Sequence, residues 1–327
     1  MPFLRGARRM ATGLAPRLPS RASREGLPRV RVYLSKEKSR PQRATFPQSI
    51  AGHFCAAEED SWMVNCGLDQ HRFLISDREF PGSNRVLLQR PSFCPIKHLS
   101  EAQVACLPLE TRERGVDVGV AILLQSANQK VLLTRRSKHL NIFPNIWVPP
   151  GGHIEPDEQL LDAGLRELRE ETGLCLQDRE FSWRMLALWE SVFPPVLSRG
   201  LPERHHVVVY LLVLSHQSHQ QLQCVTFQAG FKADEAEVSA YTWLEAQVLA
   251  SIAATREEVG GTRKMVGDLP PAVSIMELQH GSAKTVAIPT TTFLNSAPAR
   301  GEDVERVSTG TKFALQRWLD TLAEQAQ

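Results

Sequence analysis

The strongest structural constraint in this sequence is a loop rich in proline and glycine, residues 149–152, that leads into a predicted helix over residues 158–172. Proline and glycine interrupt regular structure, Asp157 suits the N-cap of the helix, and Gly173 suits ending it in the left-handed conformation. Three leucines at helical spacing give the helix one apolar face, Leu161, Leu165 and Leu168. We therefore expect the helix to pack on a β-sheet.

A different face of the same helix carries three glutamates, Glu167, Glu170 and Glu171. Residues three and four positions apart in a helix are neighbours, so these like charges repel unless a cation lies between them. Clustered carboxylate oxygens suit a hard divalent cation such as Mg²⁺ or Mn²⁺, and the carbonyl of Gly152 is a possible further ligand. Arg166 can orient one carboxylate through a fork-shaped ion pair. The spacing predicts a divalent-metal site.

Residues 152–174 follow, without a gap, the pattern Gly-x5-Glu-x7-Arg-Glu-U-x-Glu-Glu-x-Gly-U, in which U is aliphatic. This pattern resembles the signature of the Nudix hydrolases, and the strand pattern of residues 116–250 is similar to that family. The resemblance implies the α/β class, with an α/β/α sandwich built on a mixed sheet. It also implies an enzyme that directs water onto phosphorus in a nucleotide-type diphosphate with the help of a divalent metal.

The resemblance further implies roles for individual residues. The implied metal ligands are Glu167, Glu170 and Glu171, with the Gly152 carbonyl as a possible addition. The implied catalytic set is Glu170, Glu171 and Arg166, supported by Glu158 and Gly173. The general base stays open, because members of the family take it from the signature helix or from a later loop. Candidates outside the signature are Glu190, Asp234, Glu235 and Glu237.

The choice of substrate depends on segments outside the signature. Residues 114–120, 132–136, 147–153 and 308–315 resemble a branch of the family that is grouped with enzymes active on RNA caps. This implies 7-methylguanosine-capped RNA as substrate and a methylated guanosine diphosphate as product. A cationic methylguanine needs an aromatic partner, for which Trp62, Trp189 and Phe193 are candidates.

Two other hypotheses remain open for the same domain. One is a pyrophosphatase for coenzyme A, NADH, ADP-ribose or a nucleoside diphosphate sugar. The other is a module that binds nucleotide or RNA without hydrolysing it. The complete set of signature carboxylates favours catalysis over binding alone.

Composition changes along the chain indicate four regions. Residues 1–28 hold six arginines, all of which precede the first acidic residue, Glu25. This composition is typical of a transit-like or disordered segment. Strand-like pieces between turns predict a small N-terminal accessory domain over residues 29–113. The hydrolase domain is predicted over residues 114–252, and a loop-rich region over 253–327 that ends in a helix from Thr311 to Glu324.

The sequence also bears on membrane association, the state of the cysteines and localisation. No run of about 20 apolar residues is present, so we expect no membrane segment. The six cysteines lack the paired spacing of metal sites, which indicates reduced thiols in an intracellular protein. We expect a cytoplasmic protein, with the mitochondrion as an alternative because of the basic N-terminus. The sequence leaves the oligomeric state open.

Overall fold

The structure, a computed structural model, describes residues 29–228, 234–255, 269–279, 281–297 and 304–325. The transit-like segment predicted over residues 1–28 lies outside the described residues. The helices are α1 Ala51–Phe54, α2 Glu101–Cys106, α3 Leu109–Glu113, α4 Leu160–Thr172, α5 His219–Gln228, α6 Ala246–Ala254 and α7 Thr309–Gln325. In the described part of the chain, no helix combines the length and the apolar character that crossing a membrane requires.

All described strands belong to one sheet. They are β1 Arg31–Ser35, β2 Gln42–Arg43, β3 Ser61–Asp69, β4 Arg72–Ser76, β5 Asn84–Gln89, β6 Asp117–Gln125, β7 Val131–Arg136, β8 Ile146–Val148, β9 Gly151–His153, β10 Phe181–Phe193, β11 Arg204–Ser215, β12 Val238–Leu244, β13 Ala272–Gln279, β14 Ser282–Pro289 and β15 Arg306–Val307. The main path is β14-β13-β12-β7-β6-β11-β10-β5-β3-β4-β1-β2. Strand β11 runs antiparallel to β10 and parallel to β6, so the sheet is mixed, as predicted.

Helices cover both faces of the centre of this sheet. On β6, Ile122 packs in one apolar cluster with Leu168 of α4. Its neighbour Leu123 points the other way and shares a cluster with Ile252 of α6 and Trp318 of α7. Alternate residues of a strand point to opposite faces, so β6 is buried on both sides. The predicted α/β/α sandwich is confirmed.

The N-terminal region contributes strands to this same sheet. Strand β5 pairs in parallel with β10, where Leu88 lies opposite Leu188. Phe73 and Leu88 share an apolar cluster with Val209 of β11. The predicted boundary between residues 113 and 114 therefore lies within one continuous sheet and core. A few short strands bury too little apolar surface by themselves, so pairing with β10 stabilises the region.

Three local features of the structure differ from the sequence-based prediction. Asp157 is not the N-cap of α4, because Gln159 occupies that position and Asp157 has a φ of 66° in the preceding turn. Helix α7 begins at Thr309, two residues before the predicted start. The C-terminal region contains the hairpin β13–β14, which was not predicted because its short strands lie among glycine, proline and threonine residues.

Candidate active site

The carboxylate-bearing turn of α4 lies against the glycine-rich strand β9. A Cβ atom at Gly152 would lie 2.3 Å from Oε1 of Glu167, so any larger residue there would displace the Glu167 carboxylate. Strand β9 is held by antiparallel pairing with β6, where Gly152 lies opposite Val120. The backbone at Gly152 is therefore fixed beside the Glu167 carboxylate. Helix α4 ends at Gly173, which has a φ of 77°, as predicted.

Two of the three glutamates predicted as metal ligands converge with a residue from a distant segment. Carboxylate oxygens of Glu167, Glu171 and Glu237 all lie within 4.8 Å of one another. Glu167 and Glu171 are buried, whereas Glu237, which immediately precedes β12, is partly exposed. Oε2 of Glu171 accepts a hydrogen bond from the Thr134 hydroxyl at 3.1 Å. We call Glu167, Glu171 and Glu237 the carboxylate cluster.

Glu170 occupies a different position from its two signature neighbours. It is outside the carboxylate cluster, although it lines the same cavity. Its Oε2 atom lies 3.4 Å from Nη1 of Arg166. The structure therefore brings Glu237 to Glu167 and Glu171, and places Glu170 beside them next to a cation of the chain.

Arg166 links the signature helix to the loop before it. Its Nε and Nη2 atoms donate to the two carboxylate oxygens of Glu158 at 2.7 and 3.0 Å, and Nη1 donates to Oε1 of Glu167 at 2.9 Å. A further bond from Nη2 reaches the His153 carbonyl at 2.8 Å. Burial alone would lower the pKa of Arg166, but Glu158 and Glu167 raise it overall. The guanidinium stays charged and fixes the loop, α4 and Glu167 together.

The carboxylate cluster is electrostatically unfavourable unless a cation joins it. Burial, followed by the charges of Glu167 and Glu237, raises the pKa of Glu171 to about 8. Burial also raises the pKa of Glu167, although Arg166 opposes that shift. Carboxylates that share a small buried volume do not all ionise together without a compensating positive charge. Carboxylate oxygens at this spacing match what a hard divalent cation requires, so the residues fit a metal ion.

The carboxylate cluster opens into a cavity of about 630 Å³ that three parts of the chain enclose. The signature helix and loop supply one wall, with Glu170 and His153. The N-terminal region adds Arg29 and Phe93, and the C-terminal region adds Arg306, which begins β15. Regions outside the central domain thus shape the space in which a substrate would lie.

The aromatic candidates have different positions relative to this cavity. Trp189 lines it, but its ring is 5% exposed and packs 5.2 Å from that of Phe313. Phe193 contacts Phe143 edge to face at 5.0 Å, and Phe143 lines the cavity. Trp62 is 43% exposed and is not among the residues that line the cavity in the described part of the chain.

Phe143 is a cavity residue that sequence analysis missed. It has a φ of 51°, an uncommon value for an aromatic residue, and strained backbone of this kind is frequent at functional sites. Arg136 holds the turn, because its Nη2 and Nε atoms donate to the carbonyls of Ile142 and Phe143, both at 3.0 Å. Positive φ leaves no mark in the sequence of a non-glycine residue, so only the structure shows it.

The other candidates for the general base lie in different surroundings. The Glu190 carboxylate is fully buried and accepts hydrogen bonds from the N–H groups of Ile50 and Ala51 at 2.8 and 2.9 Å. His205 contacts it at 3.1 Å. Asp234 is exposed, and its N–H donates to the Glu170 carbonyl at 3.4 Å. Glu235, also exposed, accepts a hydrogen bond from the N–H of Gly281.

The adjacent histidines of β11, His205 and His206, point to opposite sides of the strand. His205 is buried beside Glu190, whereas His206 lines the cavity. Burial, then the charges of His205 and Arg136, lowers the pKa of His206 to about 4. His206 is therefore a neutral side chain of the cavity wall at neutral pH.

Comparison with known proteins gives consistent matches over this region and over most of the chain. The NUDIX domain family matches residues 114–265. A Xenopus laevis protein named m7GpppN-mRNA hydrolase NUDT17 is 58% identical over 296 residues, which cover 90% of this chain and 96% of the relative. The Danio rerio protein of that name is 50% identical over 92% of this chain and 99% of the relative. For the Homo sapiens protein, the identity is 47% over 90% of this chain and 88% of the relative.

Proposed function

The chain belongs to the Nudix hydrolase family, and we propose that it cleaves the diphosphate linkage of 7-methylguanosine-capped RNA. Water attacks phosphorus, and the products are 7-methylguanosine diphosphate and an RNA with a 5′-monophosphate. The vertebrate relatives that match most of the chain are named for hydrolysis of m7GpppN-mRNA, which supports this substrate class.

The carboxylate cluster is the observation that carries the proposal. We assign Glu167 and Glu171 as metal ligands, with Glu237 completing the group, and we propose that the ion is Mg²⁺ or Mn²⁺. Such an ion, when bound, stabilises negative charge that develops on phosphate oxygens and helps to activate water. Gly152 lies against the Glu167 carboxylate, and its carbonyl remains a proposed further ligand.

The chain itself orients the Glu167 carboxylate and supplies carboxylates to accept a proton. Arg166 and Glu158 hold the Glu167 carboxylate in one orientation. The attacking water loses a proton, and we propose that Glu170 and Glu237, which are partly exposed and line the cavity, are the groups that accept it. Gly173 supports the site by ending α4 directly after the ligand-bearing turn.

The cavity supports a nucleotide-type substrate. Its volume of about 630 Å³ is within the usual range of small-molecule sites, roughly 300–1,000 Å³. We propose that the cationic methylguanine stacks on Phe143, whose ring Phe193 supports from the edge. The Arg136 hydrogen bonds to the turn hold Phe143 in place before substrate arrives.

The alternative substrates have less support. Coenzyme A, NADH, ADP-ribose and nucleoside diphosphate sugars would meet the same metal site, but the relatives that match most of this chain are named for the cap structure. Binding without hydrolysis is disfavoured because Glu167 and Glu171 both lie in the carboxylate cluster.

A product screen tests the proposed function. The full chain is incubated with Mg²⁺ or Mn²⁺ and with capped RNA, coenzyme A, NADH or ADP-ribose, and the products are separated by chromatography. We expect 7-methylguanosine diphosphate from capped RNA at a higher kcat/KM than any product of the other substrates. Equal or faster cleavage of a substrate that is not RNA would overturn the assignment of the substrate.

A further inference from the structure

Strand β11 leads from the catalytic cavity to the surface of the protein. Val208, His206 and Arg204 all line the cavity, and they are spaced two residues apart along the strand. Side chains at this spacing share one face and are about 7 Å apart. Arg204, the first residue of β11, therefore lies toward the rim of the cavity and is exposed.

Arg204 also lines a second, shallower groove. This groove lies between the end of α2 and α3 on one side and the segment before β11 on the other. Its lining is Leu107, Pro108, Thr111, Arg114, Leu201, Pro202, Glu203 and Arg204. Arg204 is thus common to the linings of the catalytic cavity and the groove. The lining of the groove combines apolar and charged residues, which suits a chain that carries both rings and phosphates.

Two further arginines lie close to Arg204. Arg114 donates to the Glu203 carbonyl at 2.9 Å, which fixes its guanidinium in the groove. Arg29 lies at the mouth of the catalytic cavity, with Nη1 within 3.5 Å of His153 and 3.4 Å from a carboxylate oxygen of Asp117. We call Arg29, Arg114 and Arg204 the arginine rim.

The arginine rim is close enough for its members to repel one another. Burial, then the charge of Arg204, lowers the pKa of Arg114, and Arg29 adds to that shift. Glu110 opposes it, and Glu203 is a second acidic residue at the groove. Within the described residues the guanidinium of Arg204 makes no hydrogen bond or ion pair, so it is available to an anion.

We propose that the groove binds the RNA chain that continues from the cap, with the arginine rim in contact with its phosphodiester groups. The inference rests on the proposed function, because a cap held in the cavity must have its RNA chain leave at the rim. Arg204 lines both the cavity and the groove, whereas Arg114 lines the groove, so the first phosphodiester groups would pass Arg204 before they reach Arg114.

The test compares a cap dinucleotide, m7GpppG, with a capped RNA of about ten nucleotides. The full chain and a variant that combines Arg114→Gln and Arg204→Gln are assayed with both substrates. We expect the ratio of the KM for RNA to the KM for the dinucleotide to rise about tenfold in the variant. The log–log slope of RNA affinity against salt concentration should also become shallower, by about 0.7 for each phosphate that the variant no longer neutralises.

Two matched variants control for the general effect of charge. Arg179→Gln removes an exposed arginine at the opposite end of the β10–β11 hairpin, and we expect it to leave both the ratio and the salt dependence unchanged. Glu203→Gln removes an acidic residue from the groove, and we expect it to lower the KM for capped RNA. This second variant gains function, so a folding defect cannot produce the expected result.

The possible outcomes separate the groove from the proposed function. An unchanged ratio in the double variant, or an equal loss on both substrates, would overturn the groove proposal alone. A chain that cleaves neither cap substrate would remove the proposed function, and binding of uncapped RNA by anisotropy would then decide the groove. Competition by polyglutamate as strong as that by uncapped RNA would assign the groove to an acidic protein segment and overturn the proposal.

Discussion

Glu171 and Glu190 are both buried glutamates, but the chain supplies them with different numbers of hydrogen-bond donors. Glu190 receives hydrogen bonds from two backbone N–H groups and a hydroxyl, and His205 contacts it as well. Glu171 has the Thr134 hydroxyl and a long contact from the Gly151 N–H at 3.5 Å, and its other neighbours include carboxylates. One carboxylate is satisfied by the chain, and the other is not.

The pKa values of the two glutamates shift in opposite directions. Burial alone would raise the pKa of Glu190, but His205 and the N–H groups of Ile50 and Ala51 lower it overall. At Glu171, burial and the neighbouring charge of Glu167 raise the pKa to about 8. Burial is therefore not what distinguishes Glu171, the proposed metal ligand, from Glu190. The supply of donors from the chain distinguishes them, since a carboxylate without enough donors needs a cation from solution.

The largest expected effect is on activity at Glu171. We expect Glu171→Gln to reduce kcat by roughly a thousandfold or more with Mg²⁺, because it removes a proposed metal ligand that supplies several kcal/mol of transition-state stabilisation. The variant should be at least as stable as the parent in EDTA, since it removes a charge from a repulsive group. Steady-state kinetics and thermal unfolding measure the two effects. Unchanged turnover would contradict the metal assignment.

The second prediction is that substitution of Glu190 lowers stability and leaves Mg²⁺ affinity unchanged. We expect Glu190→Gln to destabilise the protein by about 3 kcal/mol, because it removes the charged partner of His205 and weakens the hydrogen bonds from Ile50 and Ala51. Denaturant unfolding in EDTA gives this value directly. Where the variant stays folded, its affinity for Mg²⁺ should match that of the parent. A large loss of Mg²⁺ affinity without loss of stability would erase the distinction between the two glutamates.

The third prediction concerns pH. The pKa of Glu171 rises from its ordinary value of 4.5 to about 8 in the folded, metal-free protein, so between these values the folded state binds more protons than the unfolded state. Stability in EDTA should then contain a contribution that is complete below about pH 4.5 and lost as the pH rises to about 8. Saturating Mg²⁺ should remove this loss and release protons on binding.

The comparison with Glu171→Gln isolates this contribution. Other groups whose pKa changes on folding, such as His206, also make stability depend on pH in this range. The quantity of interest is therefore the difference in unfolding free energy between parent and variant. We expect the advantage of the variant in EDTA to grow between pH 5 and pH 8. A difference that does not depend on pH would show that Glu171 is not the titrating group.

The same contrast explains what the sequence could predict. The signature helix, its apolar stripe and the closeness of Glu167 to Glu171 follow from local spacing, so all were accessible to sequence reasoning. Glu237 and Phe143 come to the cavity through tertiary folding, and no spacing rule connects them with α4. The donors to Glu190 lie about 140 residues earlier in the chain. The sequence around a glutamate in a strand therefore gives no sign of the partners that surround its carboxylate.

The smallest expected effects come from removing one hydroxyl donor at each glutamate. Ser49 lies 3.2 Å from Oε2 of Glu190, and Thr134 lies 3.1 Å from Oε2 of Glu171. We expect Ser49→Ala to cost about 1–2 kcal/mol of stability, because removal of the donor leaves a buried charge less well satisfied.

Thr134→Val, which keeps the shape of the side chain, should cost less stability in EDTA, since at neutral pH a proton on Glu171 can compensate. Its effect should fall on Mg²⁺ affinity, by roughly a few fold. Calorimetric titration with Mg²⁺ and denaturant unfolding of both variants measure this contrast. Equal losses of stability would mean that Glu171, like Glu190, depends mainly on donors from the chain.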